Sequence, residues 1–237
     1  MNMPSKILII SDSRGKHLEP LLKVEASANT EYTVQVIPGA TLSNIQRRLQ
    51  RGTRRNTWDH ILVIAGICDL TTRQKNGKNV NINYESRKTE EVCTLIDQLI
   101  QTAGNISIST IPPASITKYS TNREETPDSQ TEQRNLEEDV KTINEHIISK
   151  STELARPVFN LAKISELRSL KKQGNKRKRI VKFNFNDLHD GLHPSDTLLE
   201  KWATFINKVV KRTQNEDSST EESEVETWNF KRQHKNQ

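Results

Sequence analysis

Short apolar runs, rich in β-branched residues, alternate with amphipathic segments along most of this chain, and that alternation restricts its fold more than any other feature. The runs are Ile7–Ile10, Tyr32–Ile37, Ile61–Ala65, Ile106–Ile111 and Pro157–Leu161. Most lack strict in–out alternation, the pattern of strands covered on both faces. Between them, apolar residues recur at helical spacing: Leu18, Leu21 and Leu22; Leu42, Ile45 and Leu49 behind Thr41 or Ser43 as a cap; Val92, Ile96, Leu99 and Ala103; Leu136, Val140, Ile143 and Ile147; and Leu198, Trp202, Phe205, Ile206 and Val209. Strand–helix alternation predicts an α/β layer fold with a mainly parallel, five-stranded sheet. In such sheets, ligands gather at the carboxyl ends of the strands.

Three segments interrupt the rhythm. Residues 114–133 read as a polar loop. Residues 168–179 hold seven basic residues and no acid, and read as a solvated basic insertion. From residue 213 the chain is acidic and Ser/Thr-rich, so 213–237 reads as a disordered tail behind a domain of residues 1–212. The whole chain of 237 residues carries +6. The stretch 214–237 holds six acidic and three basic residues, so the body is more basic than the total shows. A polyanionic partner suits that balance. Lys171, Lys172, Lys176, Arg177, Lys178 and Arg179 are the candidate contacts for weak nucleic-acid or other polyanion binding, and Arg47, Arg48, Arg51, Arg54 and Arg55 form a second basic cluster. No aromatics interleave with either cluster, so base stacking is not indicated.

Two cysteines, Cys68 and Cys93, make no disulfide framework, and no zinc-ligand spacing occurs, so neither metal nor cofactor is expected. The N-terminal apolar run is too short for a signal-peptide core, and no run approaches a membrane span. A soluble intracellular protein, cytoplasmic or nuclear, is the expectation.

Two stretches carry candidate chemistry. In "KILIISDSRGKHL", Ser13 follows a strand and opens a helix, which places its hydroxyl at the strand's carboxyl end near backbone N–H groups. Serine needs a base to become a nucleophile, and Asp12 or Ser13 would equally serve as a helix cap. In "NDLHDGLHPSD", Asp190 and His193 stand three apart before Pro194. A turn there folds the carboxylate onto the imidazole and frees the other ring nitrogen for a serine; a capped turn with exposed histidines is the plainer alternative. His189 is the competing histidine. Arg14, beside the serine, either favours an anionic ligand or lies on the helix surface.

Taken together, the motifs resemble the SGNH or GDSL hydrolase family over about residues 5–211. "SDS" at 11–13 resembles its first block with the glycine replaced. "VIPGATLSNI" supplies Gly39 as the second block, "IAGICDL" supplies Gly66 and Asp69 of the third, and Asp190 and His193 match the last. "TIPPAS", at 110–115, resembles the family's strand-four ending. The resemblance implies a flavodoxin-like three-layer α/β/α sandwich and a serine ester hydrolase acting on a small ester. Ser13 would be the nucleophile, His193 the base and Asp190 the orienting carboxylate. The backbone N–H groups of Ser13 and Gly39 would face the oxyanion, and Cys68 occupies the third oxyanion position, where the family carries asparagine. A thiol is a much weaker donor than an amide N–H. The alternative is an SGNH-like binding module with impaired chemistry that grips RNA or another polyanion. SGNH-like domains also occur in retroelement-encoded proteins, which suits a basic chain.

Overall fold

A computed structural model describes residues 4–51, 58–76, 79–85, 88–119, 127–173 and 176–218. Its centre is the strand β1 (Ser5–Ser11), whose residues from Ile7 onward are buried. Parallel pairing joins β1 to β2 (Thr30–Val36) on one side and to β3 (His60–Ile64) on the other, with Ile9 opposite both Val34 and Leu62. β3 in turn pairs with a short strand at Ile106–Ile108. Successive side chains on a strand point to opposite faces. Leu8, Ile10, Ile61 and Val63 therefore meet one helical layer, and Ile7, Ile9, Leu62 and Ile64 the other.

The helices supply those layers as their apolar spacing requires. Helix α1 (Leu18–Glu25) buries Leu18 and Leu22, while α2 (Leu42–Arg51) buries Leu42, Ile45 and Leu49. A four-residue helix, α3 (Ile67–Leu70), leaves β3 and leads into a hairpin of β4 (Thr71–Asn76) and β5 (Asn79–Tyr84). Next come α4 (Thr89–Gln101), the strand at 106–108, now β6, then α5 (Ile116–Tyr119), α6 (Pro127–Glu153) and α7 (Leu161–Ile164). A second hairpin, β7 (Glu166–Gln173) with β8 (Lys176–Phe183), precedes the last helix, α8 (Asp196–Ser218). Helices α2, α4 and α6 cover one face of the sheet, and α1 and α8 the other. The result is the expected three-layer α/β/α sandwich, around a central sheet ordered β2-β1-β3-β6.

That sheet has four strands among the described residues, where five apolar runs predicted five. The segment Pro157–Leu161 runs beside β6 but makes only one ladder-like bond, from Thr110 N–H to Phe159 C=O at 3.0 Å. Side chains bond some of the main-chain groups near that edge. The Arg156 guanidinium donates to the carbonyls of Ile100 and Ile106. The Asn144 amide accepts from Ile111 N–H at 2.6 Å and donates to Ile111 C=O at 2.9 Å. Proline at 157 also lacks the N–H that a ladder needs.

Three segment boundaries change as well. The polar stretch 114–133 contains α5 and the first turns of α6; residues 120–126 lie outside the described residues. Proline at 127 starts α6 without loss of a helical bond. Gln133, in its second turn, accepts from Ile116 N–H and donates to Ala114 C=O, which ties the two helices together. The basic run 168–179 is not a loop: it forms most of the β7–β8 hairpin, with Lys171 opposite Lys178 and Lys172 opposite Arg177. The side chains of Lys171, Lys172, Lys176, Arg177, Lys178 and Arg179 lie outside the described residues. Charge describes how side chains are solvated, whereas pairing of β7 with β8 satisfies the inward-facing backbone N–H and C=O groups of this run whatever the side chains carry. The tail boundary at 213 falls inside α8. Thr213 Oγ1 donates to Val209 C=O, and Gln214 Nε2 donates to Thr30 Oγ1 at 3.2 Å, so the helix is still packed there. Residues 219–237 lie outside the described residues.

One carboxylate joins two helices on the same side of the sheet. Asp69, in α3, accepts the Leu42 N–H with both oxygens, at 3.2 and 3.0 Å, and so caps α2 from a distant part of the chain. Burial pushes its carboxyl up from 3.8 to about 6, against the pull of that N–H and of Lys88. A raised carboxyl keeps its proton in the folded state after the unfolded chain has released it, so its contribution to stability falls as pH rises from about 4 to about 6. Wild type should therefore lose stability relative to Asp69→Asn across that window, as read from urea-unfolding midpoints at a series of pH values.

Candidate active site

The carboxyl end of β1 is held from both sides. Ile37 N–H donates to Ser11 C=O at 2.8 Å, while Asp12 N–H and Ser11 Oγ both donate to Ile64 C=O at 3.1 Å. Directly beyond lies one turn of 3₁₀ helix, Ser13–Gly15, capped by Asp12, whose carboxylate accepts Arg14 N–H at 2.9 Å. Gly15 is required here: a Cβ would lie 2.4 Å from the Ser11 side chain.

Arg14 follows neither sequence expectation. It is neither on the helix surface nor free for an anionic ligand; it and Asp12 are each 1% exposed. Arg14 Nε donates to both Asp12 oxygens at 3.1 Å, Nη2 to Oδ2 at 3.0 Å, and Nη1 to Pro112 C=O at 3.1 Å. Ser13 stands between these two residues, half-buried, with its backbone set by the ion pair on either side.

Asp190 and His193 approach from the other end of the chain. Asp190 Oδ1 accepts Leu192 N–H at 2.9 Å and His193 N–H at 2.8 Å, while Oδ2 bonds His193 Nδ1 at 2.7 Å. His193 Nε2 lies 3.0 Å from Ser13 Oγ. With the ring proton on Nδ1, facing the carboxylate, Nε2 is the nitrogen that accepts the hydroxyl proton. His189 is exposed, and its backbone N–H donates to His193 C=O at 2.7 Å. Burial pushes Asp190 upward, but the bonds from the His193 N–H, the His193 ring and the Leu192 N–H outweigh it and hold the carboxyl below its usual value of 3.8.

The turn bearing Asp190 and His193 rests on a segment that sequence reading treated as loop. Ser115 N–H donates to Gly191 C=O at 2.6 Å. Gly191 has φ +92°, and a Cβ there would lie 2.8 Å from both Ser115 C=O and Tyr119 N. Lys118 Nζ donates to Leu188 C=O at 2.6 Å, and the Tyr119 ring sits 6.3 Å from that of His193. Ser115, Lys118 and Tyr119 thus belong to the site's framework. The sequence signal for them was slight: the "TIPPAS" ending and the spacing of Ile116 and Tyr119.

The other expected residues follow the neighbouring strands. Gly39 lies in the exposed turn after β2, and Cys68 in α3 after β3, so the two flank the strand that leads to Ser13. Burial pushes the Cys68 thiol up to about 11, with the Asp12 and Asp69 carboxylates adding to the effect and Arg14 opposing it. Cys68 is therefore a protonated thiol at neutral pH, unlike the depressed thiols that act as nucleophiles. Among the described residues, no group of three or more His, Cys, Asp or Glu side chains could hold a metal ion, and no helix is long and apolar enough to cross a membrane.

No family model matches the sequence, and no curated protein matches it. Solved structures do. The chain is similar to a GDSL-like lipase from Bacteroides thetaiotaomicron, with a TM-score of 0.58 and 13% identity over 92% of this chain and 93% of that one. It is similar to a lipase/acylhydrolase from Enterococcus faecalis, with a TM-score of 0.58 and 16% identity over 88% and 96%. An acetyl xylan esterase matches with a TM-score of 0.56 and 12% identity over 86% and 99%. The chain has the fold of the SGNH/GDSL hydrolases.

Two measurements check this description. Arg14→Met should lower unfolding stability by about 3–5 kcal/mol, because it leaves the buried Asp12 carboxylate without its cation; Arg14→Lys should recover only part of the loss, since a point charge cannot copy the fork. Asp190, held below its ordinary value, contributes stability that is complete above about pH 4 and is lost as pH falls further through its folded-state value. Acid titration followed by circular dichroism should show wild type losing its advantage over Asp190→Asn in that acidic range.

Proposed function

We propose that the chain is a serine ester hydrolase of SGNH type, with Ser13 as nucleophile, His193 as general base and Asp190 as the carboxylate that orients it. The observation that carries this reading is the unbroken line from Asp190 Oδ2 to His193 Nδ1, 2.7 Å, and from His193 Nε2 to Ser13 Oγ, 3.0 Å. In the first step Ser13 Oγ attacks the ester carbonyl carbon and Nε2 takes the hydroxyl proton. The tetrahedral intermediate collapses, the imidazolium gives that proton to the departing alkoxide, and an acyl-serine remains. Water then attacks the acyl carbon with His193 again as base, and the acid leaves. Asp190 holds the ring in the tautomer that these transfers need and stabilises the imidazolium between them.

The backbone N–H groups of Ser13 and Gly39 are the donors assigned to the oxyanion. Arg14 does not serve there, since its guanidinium is committed to Asp12 and Pro112. The third position belongs to Cys68, a neutral thiol and a weak donor. A missing side-chain donor lowers turnover by about a hundred- to a thousand-fold without removing the nucleophile. The enzyme is thus a slow esterase suited to activated esters. A binding module without chemistry has no use for a serine, histidine and carboxylate kept in hydrogen-bonded line.

Purified protein should hydrolyse para-nitrophenyl acetate, and a fluorophosphonate probe should label Ser13. Ser13→Ala should abolish both, and His193→Asn should bring hydrolysis near the buffer rate. Cys68→Asn should raise kcat by up to about a hundred-fold by restoring an amide donor. Equal inertness of wild type, Ser13→Ala and Cys68→Asn would reject the hydrolase reading.

A further inference from the structure

Helix α2 has two opposed faces. Leu42, Ile45 and Leu49 are buried against the sheet. Asn44, Arg47, Arg48 and Arg51, at i, i+3, i+4 and i+7, share the outer face. That face forms one wall of a cleft of about 600 Å³, and Gln35 of β2 and Gly39 stand among the residues that complete it. The volume suits a small organic ligand.

Among the described residues the cleft is lined by cations and by no acid. Among the described residues, Arg47 bonds two neutral oxygens, the Ser43 carbonyl and the Asn44 side chain. Among the described residues no carboxylate pairs with Arg47, Arg48 or Arg51, and no acid lines the cleft. Like charges three or four residues apart on a helix repel one another. Placing Arg48 and Arg51 in the last turn of α2 complements the helix dipole, but it does not account for three guanidinium groups beside one concavity. Guanidinium groups match carboxylate and phosphate oxygens bidentately, and the low-dielectric wall of a cleft concentrates their field.

Gly39 connects the cleft to the chemistry. It lines the cavity, and it lies in the turn after the strand that pairs with β1. Its φ is +70°, and a Cβ there would meet nothing within 4 Å, so the turn itself does not crowd the space between cleft and strand end. We infer that this arginine-walled cleft is the substrate subsite for an anionic group, so that the preferred esters carry a carboxylate or phosphate away from the scissile carbonyl. The inference rests on Ser13 being the nucleophile and names the class of ester that it acts on.

Matched ester pairs test it. One pair places the charge on the acyl side: mono-para-nitrophenyl adipate against para-nitrophenyl hexanoate. The other places it on the leaving group: para-acetoxyphenylacetate against para-tolyl acetate. Wild type should prefer the charged member of at least one pair in kcat/KM, by about tenfold or more, and mainly through KM. Raising the salt concentration should erode the preference. Arg47→Gln, Arg48→Gln and Arg51→Gln combined should reduce kcat/KM for the charged ester at least tenfold more than for its neutral partner, and the Lys triple variant should restore part of the difference. No preference in either pair, or an equal loss on charged and neutral esters, overturns the inference. If wild type hydrolyses none of the esters, the hydrolase reading has failed, and a binding measurement decides the subsite separately. Calorimetric binding of adipate to Ser13→Ala protein, lost in the Gln triple variant, supports the anion site. No adipate binding overturns it, as does single-stranded RNA bound through the same three arginines without any adipate binding.

Discussion

The buried pair of Asp12 and Arg14 is the constraint on which the site depends. Taking two charges out of water costs several kcal/mol each, and a well-packed apolar pair of the same volume is commonly as stable or more so. What an apolar pair lacks is direction. Asp12 fixes the turn that follows β1 by accepting the Arg14 N–H, and Arg14 crosses from that turn to the Pro112 carbonyl beyond β6. The segment that Arg14 reaches runs on to Ser115, Lys118 and Tyr119, which support the turn of Asp190 and His193. Ser13 and His193 are therefore positioned by two parts of one connected frame, although 180 residues separate them.

Two carboxylates in this frame show how surroundings set chemistry. Asp69 accepts a single backbone N–H in a dry place, and burial prevails, so its carboxyl rises. Asp190 is more open and accepts two backbone N–H groups and an imidazole, so it stays ionised to lower pH. The first is suited to capping α2, where a proton costs little. The second is suited to holding an imidazolium, where a full negative charge is needed. Cys68 belongs with Asp69: it too is shielded, and its proton is held tightly.

The edge of the sheet shows a different solution to backbone satisfaction. Beside β6, Arg156 and Asn144 bond the Ile106 carbonyl and the Ile111 N–H and C=O, main-chain groups open to a neighbouring strand. Side-chain amides and guanidinium groups can do this because they present donors at spacings close to those of a peptide ladder. The exchange leaves the chain after β6 free of a long ladder, and that chain then supplies the Pro112 carbonyl and the Ser115 N–H to the site.

By itself, the sequence determined what depends on near neighbours. Runs such as Ile7–Ile10 gave the parallel strands, because burial on both faces leaves no room for alternating polar residues. The apolar spacing of α2 and α8 gave their buried faces, and the three-residue step from Asp190 to His193 was short enough for a turn to bring the two side chains together. Only the tertiary structure decided the fate of groups whose partners lie far along the chain. Arg14 finds Pro112, 98 residues away, and Asp69 finds Leu42, 27 residues back. Nothing in a charge or a spacing says whether an arginine will be buried or solvated, because that depends on which surface the fold brings against it. The arginines of α2 could be counted in the sequence, but their sharing of one cleft with Gly39 follows only from the packing of that helix beside the edge of β2.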